Sequence, residues 1–590
     1  MLGAAGLVLL PALALRLDRD AISGGGLAAV LPVWAWVGIA AVVGACALEV
    51  CAPDPRPAVL AGLTAVLTVA TTGLASVVEP GARIAAAWWH VGFVEAIAAR
   101  GAVPAGIDAR FSWAGFFSAW AWMGDAAGSG GGPGPYTALD GVLRATPPVV
   151  ALVWAAAVYV LSAQLVGGRR TPWAAAWLFL GLNWIEQDYF SPQATAMVLL
   201  LAVLVAVTGP LATRRPALTD PADSASRRLA ALVRRSPWRA GGLRSPHPWV
   251  TGGQVLGMWA VVVLCVSAMA TAHQLTPIAL IVQLGLLTAA GRVWGGRGLL
   301  VVAVLAVGTW LVLGGREFWL SQLALATGDV GNASGSVASA LGDRLVGDPG
   351  QLLIKLARVV LGGATVVLAL VGAWLRRRRT DDVVWIVAAL APIGIVLVQS
   401  YGGEVLLRVL LYALPLCAVL GVEVLRAVAL RWPRAGRVGL TVGMLALFAT
   451  LVAVRGGNDS FVALRPQEVA LARSVISAAP AGSAVLPLAD QAPNNVTRVG
   501  EIAQVPSACE QLADDPVRCV LADAPWAVFA LPTMDAQGVA LRGFPPGWTR
   551  DAMAAIAATG QYRIVSSDGL YTVALRTAPP ASPTAPTDGG

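Results

Sequence analysis

The long apolar runs of this chain constrain its fold more than any other feature. A helix needs about 20 apolar residues to cross a bilayer, and the sequence offers thirteen runs near that length, a few of them shorter. Only 13% of the residues are charged, whereas soluble proteins carry about a quarter. We therefore predict a polytopic α-helical membrane protein with about 13 transmembrane helices. The runs lie at 2–15, 31–48, 58–78, 147–166, 173–186, 193–211, 251–271, 276–291, 298–313, 355–374, 383–399, 405–425 and 437–454.

Arginine clusters between the apolar runs predict the orientation of the bundle. They follow the fourth, eighth, tenth and twelfth runs, and the loop 213–250 holds eight arginines against two aspartates. If every run is a span, all these clusters lie on one side, which the positive-inside rule assigns to the cytoplasm. Because the basic residues punctuate spans, the net charge of +8 does not indicate nucleic-acid binding. We predict a plasma-membrane protein with a cytoplasmic N-terminus, an outer loop 79–146 and a basic cytoplasmic loop 213–250.

The chain beyond the last span is far less hydrophobic and predicts a separate domain. Residues 1–454 would form the membrane domain and residues 455–576 a small extracytoplasmic α/β domain, followed by a disordered Pro- and Thr-rich tail, 577–590. Apolar periodicity predicts a helix, three strands and a C-terminal hairpin. These elements cover 466–478 as the helix, 483–488, 518–522 and 526–531 as strands, and 562–566 with 571–576 as the hairpin.

Two of the six cysteines, Cys509 and Cys519, lie in this outer domain. An oxidising compartment favours a disulfide between them, and two unpaired thiols are the alternative. The other four lie in or beside apolar runs and are typical of small packing residues. No cysteine or histidine spacing predicts a metal site.

The first outer loop carries acids at the membrane face. Glu79 ends the third run, an amphipathic helix over 82–100 with interfacial tryptophans is expected to follow, and Asp108 comes next. Ionisable groups at this depth are costly and are functional candidates by default. The alternatives are a solvated helix-end charge for Glu79 and a salt bridge from Asp108 to Arg110.

Between the fifth and sixth runs the turn 183–193 is the most polar connector in the chain. It includes Asp188, Tyr189 and Gln193. A plain connector needs only a few small polar residues, so we interpret this turn as functional.

Other predicted outer turns also carry ionisable residues next to the membrane. His273 begins a short turn before the eighth span, and Arg316 follows the ninth. Tyr401 and Glu404 precede Arg408, where Glu404 and Arg408 could simply pair at i,i+4. A histidine or an arginine here is suited to binding a phosphate, and the acids could act as a general base or position a divalent metal ion. The combination suits group transfer from a lipid phosphate.

The sequence resembles the GT-C superfamily of polytopic glycosyltransferases, which use polyprenyl-phosphate sugars. It is similar in particular to actinobacterial membrane proteins often placed in that superfamily. In their first outer loop an acid opens the segment, and a Gly, a Pro and aromatics follow. The resemblance covers residues 58–454 and rests on Glu79-Pro80-Gly81-Ala82-Arg83-Ile84 with Gly101, Pro104 and Phe111, and on the turns 187–193, 273–277 and 401–404. The chain departs from the family in lacking an Asp-x-Asp or Asp-Glu pair in the first loop and in having two extra spans before it.

This resemblance implies an inverting glycosyltransferase that moves a hexose or pentose from a polyprenyl-phosphate donor to an envelope glycan, lipid or protein at the outer face. Glu79 or Asp108 would be the base, with Asp188 as a second acid. The donor phosphate and substrate would be bound by His273, Arg316, Glu404, Arg408, Tyr189, Gln193 and Tyr401. An envelope polysaccharide polymerase or ligase, a transporter or flippase of lipid-linked glycans, and a non-catalytic scaffold remain alternatives. A transporter would place charges near the midplane within an internal repeat.

Overall fold

The structure is a computed structural model of the chain. It describes residues 17–18, 21–22, 24–126, 139–212, 252–316, 318, 348–377, 382–397, 405–489, 492–504 and 516–577.

The part of the chain before residue 456 is helical. In chain order its helices are α1 (Leu27–Val30), α2 (Val33–Cys51), α3 (Pro57–Ala70), α4 (Leu74–Val78), α5 (Ala85–Arg100), α6 (Gly115–Ala126), α7 (Asp140–Leu165), α8 (Thr171–Leu182), α9 (Pro192–Thr208), α10 (Gly252–Ala272), α11 (Leu275–Ala289), α12 (Gly296–Leu313), α13 (Pro349–Arg376), α14 (Asp382–Leu390), α15 (Val405–Arg431) and α16 (Ala435–Arg455). Two 3₁₀ segments, Ala109–Trp113 and Ala391–Leu397, precede α6 and follow α14.

These helices confirm the polytopic membrane architecture. Among the described residues, seven helices are long and apolar enough to cross a bilayer, and five shorter apolar helices accompany them. The first apolar run, 2–15, lies outside the described residues. The count of thirteen spans therefore stays a prediction.

One apolar run, 58–78, forms two helices rather than one continuous helix. It divides between α3 and α4, with Thr71 outside helical geometry. The hydroxyls of Thr64, Thr68 and Thr71 donate to carbonyl oxygens four residues earlier, at 2.7–2.8 Å. Such back-bonding bends helices, which explains a break that the apolar pattern does not signal.

The structure brings several arginine clusters to one end of the bundle. Arg169, after α7, lies 2.6 Å from Asp54 in the α2–α3 connection. Arg376 and Arg426, from the ends of α13 and α15, each lie 3.4 Å from Glu423. Arg376 also donates to Leu165 O at 3.3 Å, close to Arg169 in the sequence, so these clusters share one end of the bundle, in agreement with the single basic side expected from the sequence. Which side faces the cytoplasm stays a prediction.

Helices α13 and α15 approach each other through glycine. A Cβ built on Gly372 of α13 would overlap the backbone carbonyl of Leu420 on α15, whereas a Cβ on Gly363 of the same helix meets nothing within 4 Å. We expect Gly372→Ala to cost about 1–3 kcal/mol through overpacking and to lower the thermal unfolding midpoint in lipid nanodiscs. Gly363→Ala is the matched control and should be neutral or slightly stabilising. Equal effects of the two variants would contradict this packing.

Beyond α16 the chain forms a five-stranded mixed sheet with helices, which confirms the small C-terminal α/β unit. The strand order is β2-β1-β3-β5-β4, with β1 parallel to β2 and β3, and β5 antiparallel to β3 and β4. The elements are α17 (Asp459–Val462), α18 (Pro466–Ala478), β1 (Ala484–Pro487), β2 (Ala503–Gln504), α19 (Pro516–Asp523), β3 (Ala527–Ala530), α20 (Pro532–Gln537), a π turn (Gly538–Arg542), α21 (Trp548–Ala558), β4 (Tyr562–Asp568) and β5 (Tyr571–Arg576).

The predicted helix 466–478, the predicted strands 483–488 and 526–531 and the hairpin are confirmed. The predicted strand 518–522 is wrong. Those residues belong to α19. Pro516 occupies the first helical position, where its missing N–H costs nothing. Cys519 and Val520 are buried there and α19 packs on α21. The apolar residues thus repeat with helical spacing over a stretch too short to distinguish from a strand.

The C-terminal unit shares a hydrophobic core with α5 and α6. The indole of Trp89 donates to Ala492 O at 2.7 Å, Arg100 donates to Val499 O at 3.1 Å, and Thr497 donates to Glu95 at 2.8 Å. Helix α5, which corresponds to the expected interfacial helix 82–100, therefore packs directly against this C-terminal unit, which is called the outer unit below after its predicted location. The boundary at 454/455 and the outer location of the unit stay predictions.

Candidate functional site

The polar turn between α8 and α9 is anchored by Arg455, at the C-terminal end of α16. Asp188 is 1% exposed, and both its oxygens accept from Nη2 of Arg455, at 2.9 and 3.0 Å. Arg455 also donates to Asn183 O at 3.2 Å. Because Arg455 is the last residue of α16, this buried ion pair ties the turn to the start of the outer unit.

A second arginine, Arg83, joins the same turn to the outer unit. Its guanidinium donates to Glu186 and to Asp459, and its backbone oxygen accepts from Leu464 N. Glu186 has a φ of 58°, a left-handed conformation that non-glycine residues rarely adopt. Arg358 on α13 lies 3.8 Å from the same carboxylate. The opposed charges hold Glu186 in this costly backbone geometry.

Arg83, Asp188 and Arg455 line a partly open cavity. The cavity lies between the first outer segment, α7 and the turn, and it brings basic, acidic and aromatic groups together. Its lining includes Arg83, Arg144, Arg455, Asp188 and Tyr189, with small residues such as Ser76, Gly81 and Ala87.

Of the three arginines in the cavity, Arg144 on α7 has the least satisfied guanidinium. Arg83 and Arg455 are engaged by carboxylates. Arg144 donates to Ser76 O at 3.3 Å, and its Nε has no hydrogen-bond partner among the described residues. In that part of the chain it forms no ion pair. A half-buried guanidinium with spare donors is suited to binding an oxyanion such as a phosphate.

Tyr189 supplies an aromatic wall that is backed by α5. Its ring stacks on the imidazole of His90, with centroids 5.9 Å apart and planes 2° apart. His90 Nδ1 lies 2.7 Å from Phe190 O and therefore donates to that carbonyl. Burial, together with the positive charge of Arg110, lowers the pKa of His90 to about 4. The imidazole is thus a neutral, fixed support for Tyr189 at physiological pH.

The low pKa of His90 predicts that acid weakens this support. The unfolded chain, with a pKa near 6.5, binds the proton more readily than the folded chain does, so stability is intact above pH 6.5 and falls as pH drops toward 4. The full loss amounts to about 3 kcal/mol. Thermal unfolding of wild type and His90→Asn in nanodiscs between pH 7.5 and 4.5 measures this contribution. His90→Asn keeps a donor to Phe190 O without titrating and should flatten part of the profile; identical profiles would contradict the assignment.

The two first-loop acids occupy different environments. Glu79 is 3% exposed at the end of α4, and its charge acts on Asp459. Asp108 accepts three hydrogen bonds from Arg110, at 2.7–2.9 Å, which is the salt-bridge alternative given above. Partial burial would raise the pKa of Asp108, but Arg110 outweighs it and lowers that pKa. Asp108 does not line the cavity.

His273 takes part in a second polar cluster at the α10–α11 junction. Its Nδ1 accepts from Thr276 N at 3.2 Å, so the imidazole caps α11. Thr276 Oγ1 lies 3.0 Å from the hydroxyl of Tyr412, and Arg408 acts electrostatically on both rings. His273 and Arg408 are thus brought together, but neither lines the cavity.

The remaining predicted site residues are dispersed. Arg316 is exposed after α12, and Gln193 is 4% exposed in the first turn of α9. Tyr401 and Glu404 lie outside the described residues. Their roles stay predictions.

Cys519 is disulfide-bonded, and the other described cysteines, Cys46, Cys51, Cys265 and Cys417, are free. Cys509, the predicted partner of Cys519, lies outside the described residues.

The divalent metal ion considered from the sequence stays a prediction. No group of three or more His, Cys, Asp or Glu side chains in the described part of the chain is placed to hold one. Arginine pairs with both oxygens of Asp188 and of Glu186 but with one oxygen of Asp459, whose Oδ2 has no hydrogen-bond partner among the described residues.

Sequence reasoning gave no role to Arg83, Arg144, Arg455 or Asp459. One signal could have found the arginines. They lie at the predicted outer ends of spans, where the positive-inside rule expects few basic residues. An arginine that departs from that rule is expected to have a specific partner. Arg83 and Arg455 pair with carboxylates, and Arg144 lines the cavity.

Comparison with known proteins gives structural neighbours only. No protein-family model and no curated protein matches the sequence. An oligosaccharyltransferase from Archaeoglobus fulgidus, tethered with an acceptor peptide, is similar at 11% identity and a TM-score of 0.47, over 87% of this chain and 73% of that one. The archaeal AglB of the same organism, in complex with an inhibitory peptide and a dolichol-phosphate, is similar at 12% and 0.45, over 88% and 74%.

A third neighbour is ArnT from Cupriavidus metallidurans bound to undecaprenyl phosphate, at 12% identity and a TM-score of 0.42, over 92% of this chain and 97% of that one. These neighbours are GT-C glycosyltransferases, the superfamily that the sequence resembles. With identities of 11–12% and TM-scores below 0.5, the similarities do not by themselves assign this chain to it.

Proposed function

We propose that the chain is a membrane glycosyltransferase that transfers a sugar from a polyprenyl-phosphate donor to an envelope glycan, lipid or protein at the outer face of the plasma membrane. The observation that carries the proposal is Arg144, a half-buried guanidinium with spare donors in a cavity that also holds Asp188 and Tyr189. A cation in such a place calls for an anion. A lipid phosphate can supply that anion while its tail stays in the bilayer.

The cavity contains a cation for the leaving phosphate and an aromatic wall for the sugar, Arg144 and Tyr189. The acceptor hydroxyl attacks the anomeric carbon, the bond from that carbon to the phosphate oxygen breaks, and the hydroxyl proton passes to an enzyme carboxylate. Arg144 stabilises the negative charge that grows on the leaving lipid phosphate. Tyr189 offers a flat wall against which a sugar ring can pack. Inversion at the anomeric carbon follows from a single displacement of this kind.

The carboxylate that accepts the proton is sought among Glu79, Asp108 and Asp188. Glu79 is two residues before Gly81, which lines the cavity, and Asp188 lines it directly. Asp108 is engaged by Arg110 outside it. Glu79→Gln is therefore expected to reduce transfer strongly, and Asp108→Asn to reduce it little. Asp188→Asn is expected to act through the position of the turn.

The test is transfer of labelled sugar from a panel of polyprenyl-phosphate donors by purified protein in lipid, with membrane glycan, lipid and peptide acceptors. Wild type and the three acid variants are compared at matched folding. Turnover by wild type that one acid variant abolishes supports the proposal. If wild type transfers no sugar in any donor and acceptor combination, and instead moves the donor across the bilayer unchanged, the chain is a transporter.

A further inference from the structure

Two ion-paired connections run between the outer unit and the polar turn. One is direct, from Arg455 to Asp188. The other passes through Arg83, which is engaged by Asp459 on one side and by Glu186 on the other. Arg455 ends α16 directly before the outer unit, Asp459 begins α17, and the turn carries Asp188 and Tyr189 into the cavity. A shift of the outer unit on α5 would therefore displace the turn residues that line the cavity.

Asp459 is the buried end of the indirect connection. Its side chain is 0% exposed, and its Oδ2 has no hydrogen-bond partner among the described residues. A fully buried carboxylate is costly unless it is paired. Because water is excluded, the attraction between Asp459 and Arg83 is screened little. Asp459 contributes nothing to the cavity lining, whereas Arg83 does.

We propose that Arg83 is a positioning residue through which the seating of the outer unit on α5 sets the shape of the cavity. Asp459 holds one side of the guanidinium, and the other side holds Glu186 in its left-handed conformation, which directs Asp188 and Tyr189 into the cavity. An acceptor that binds the outer unit would thereby align the turn for transfer. The kinetic part of this inference rests on the proposed function; the mechanical part does not.

Hydrogen–deuterium exchange of the purified full chain in nanodiscs tests the mechanical part. Asp459→Asn keeps the shape of the side chain and removes its charge. It is expected to raise exchange in the turn 183–191, to which Asp459 is linked through Arg83, by about tenfold or more in at least one peptide. Asp551→Asn removes a carboxylate of the same unit whose pair with Arg550 is exposed, and it is the matched control that should leave the turn unchanged.

Activity tests the kinetic part. Asp459→Asn and Arg83→Gln are each expected to lower kcat/KM about 10- to 100-fold, as misplaced catalytic groups do. Because both act through one guanidinium, the double variant should be no worse than Arg83→Gln alone. Arg83→Lys should recover part of the loss and serves if the glutamine variant fails to fold.

The outcomes separate the two claims. Increased exchange confined to 459–464, or additive losses in the double variant, would overturn the role of Arg83. If wild type transfers no sugar while exchange in the turn rises in Asp459→Asn, the positioning role of Arg83 is supported and the transferase proposal fails.

Discussion

Replacing Arg455 by leucine is expected to lower the free energy of unfolding by about 3–5 kcal/mol, because it leaves the carboxylate of Asp188 buried and unpaired. Asp188 is 1% exposed and takes both its ionic hydrogen bonds from this one side chain. The substitution also removes the donor to Asn183 O. Denaturant unfolding in detergent micelles measures the loss.

Arg169→Leu is the matched control for that experiment. Arg169 pairs with Asp54 at 2.6 Å, but their side chains are 69% and 79% exposed. Exposed pairs are screened and contribute little, so no clear loss is expected. The double variant Arg455→Leu/Asp188→Leu should recover much of the stability, since an apolar pair leaves no orphaned charge. A small loss in Arg455→Leu, or no recovery in the double variant, would mean that the ion pair does not anchor the turn.

Replacing Arg144 by glutamine is expected to lower the rate of sugar transfer about 10²- to 10³-fold, which is the typical cost of losing one preorganised donor to a developing negative charge. The substitution should leave folding intact, because Arg144 gives up one hydrogen bond, to Ser76 O. Steady-state transfer with a saturating donor isolates the effect on kcat.

Arg110→Gln is the control for the cavity arginine. Arg110 belongs to the same outer segment and carries an ion pair with Asp108, yet it does not line the cavity. Its loss should change transfer less than about threefold. If the two variants behave alike, the effect of Arg144→Gln reflects the charge of the outer face and not binding of a phosphate.

The parts of this architecture that could be predicted are those governed by local pattern. Eleven of the apolar runs each overlap one described helix, and the apolar periodicity also located the C-terminal hairpin, whose turn contains Gly569. Gly569 adopts a φ of 60° there, a geometry that favours glycine. The break at Thr71 and the helical state of 518–522 escaped because side-chain back-bonding and tertiary packing decided them.

The ion pairs of the site could not be predicted, because their partners are far apart in the sequence. Arg455 and Asp188 are separated by 267 residues, and Arg83 and Asp459 by 376. No local spacing signals such a pair. The sequence did identify the turn 183–193 as functional from its density of polar groups, and the structure places Asp188 and Tyr189 of that turn in the cavity. It also favoured His273 and Arg408 for the phosphate, and these lie in another cluster.

The central claim is that the cavity binds the phosphate of a lipid donor. A structure of the purified protein in nanodiscs containing polyprenyl phosphate tests it most directly. We predict phosphate density in the cavity, within hydrogen-bond distance of Arg144 and beside Tyr189. Phosphate bound instead at His273 and Arg408, with the cavity unchanged, would contradict the account.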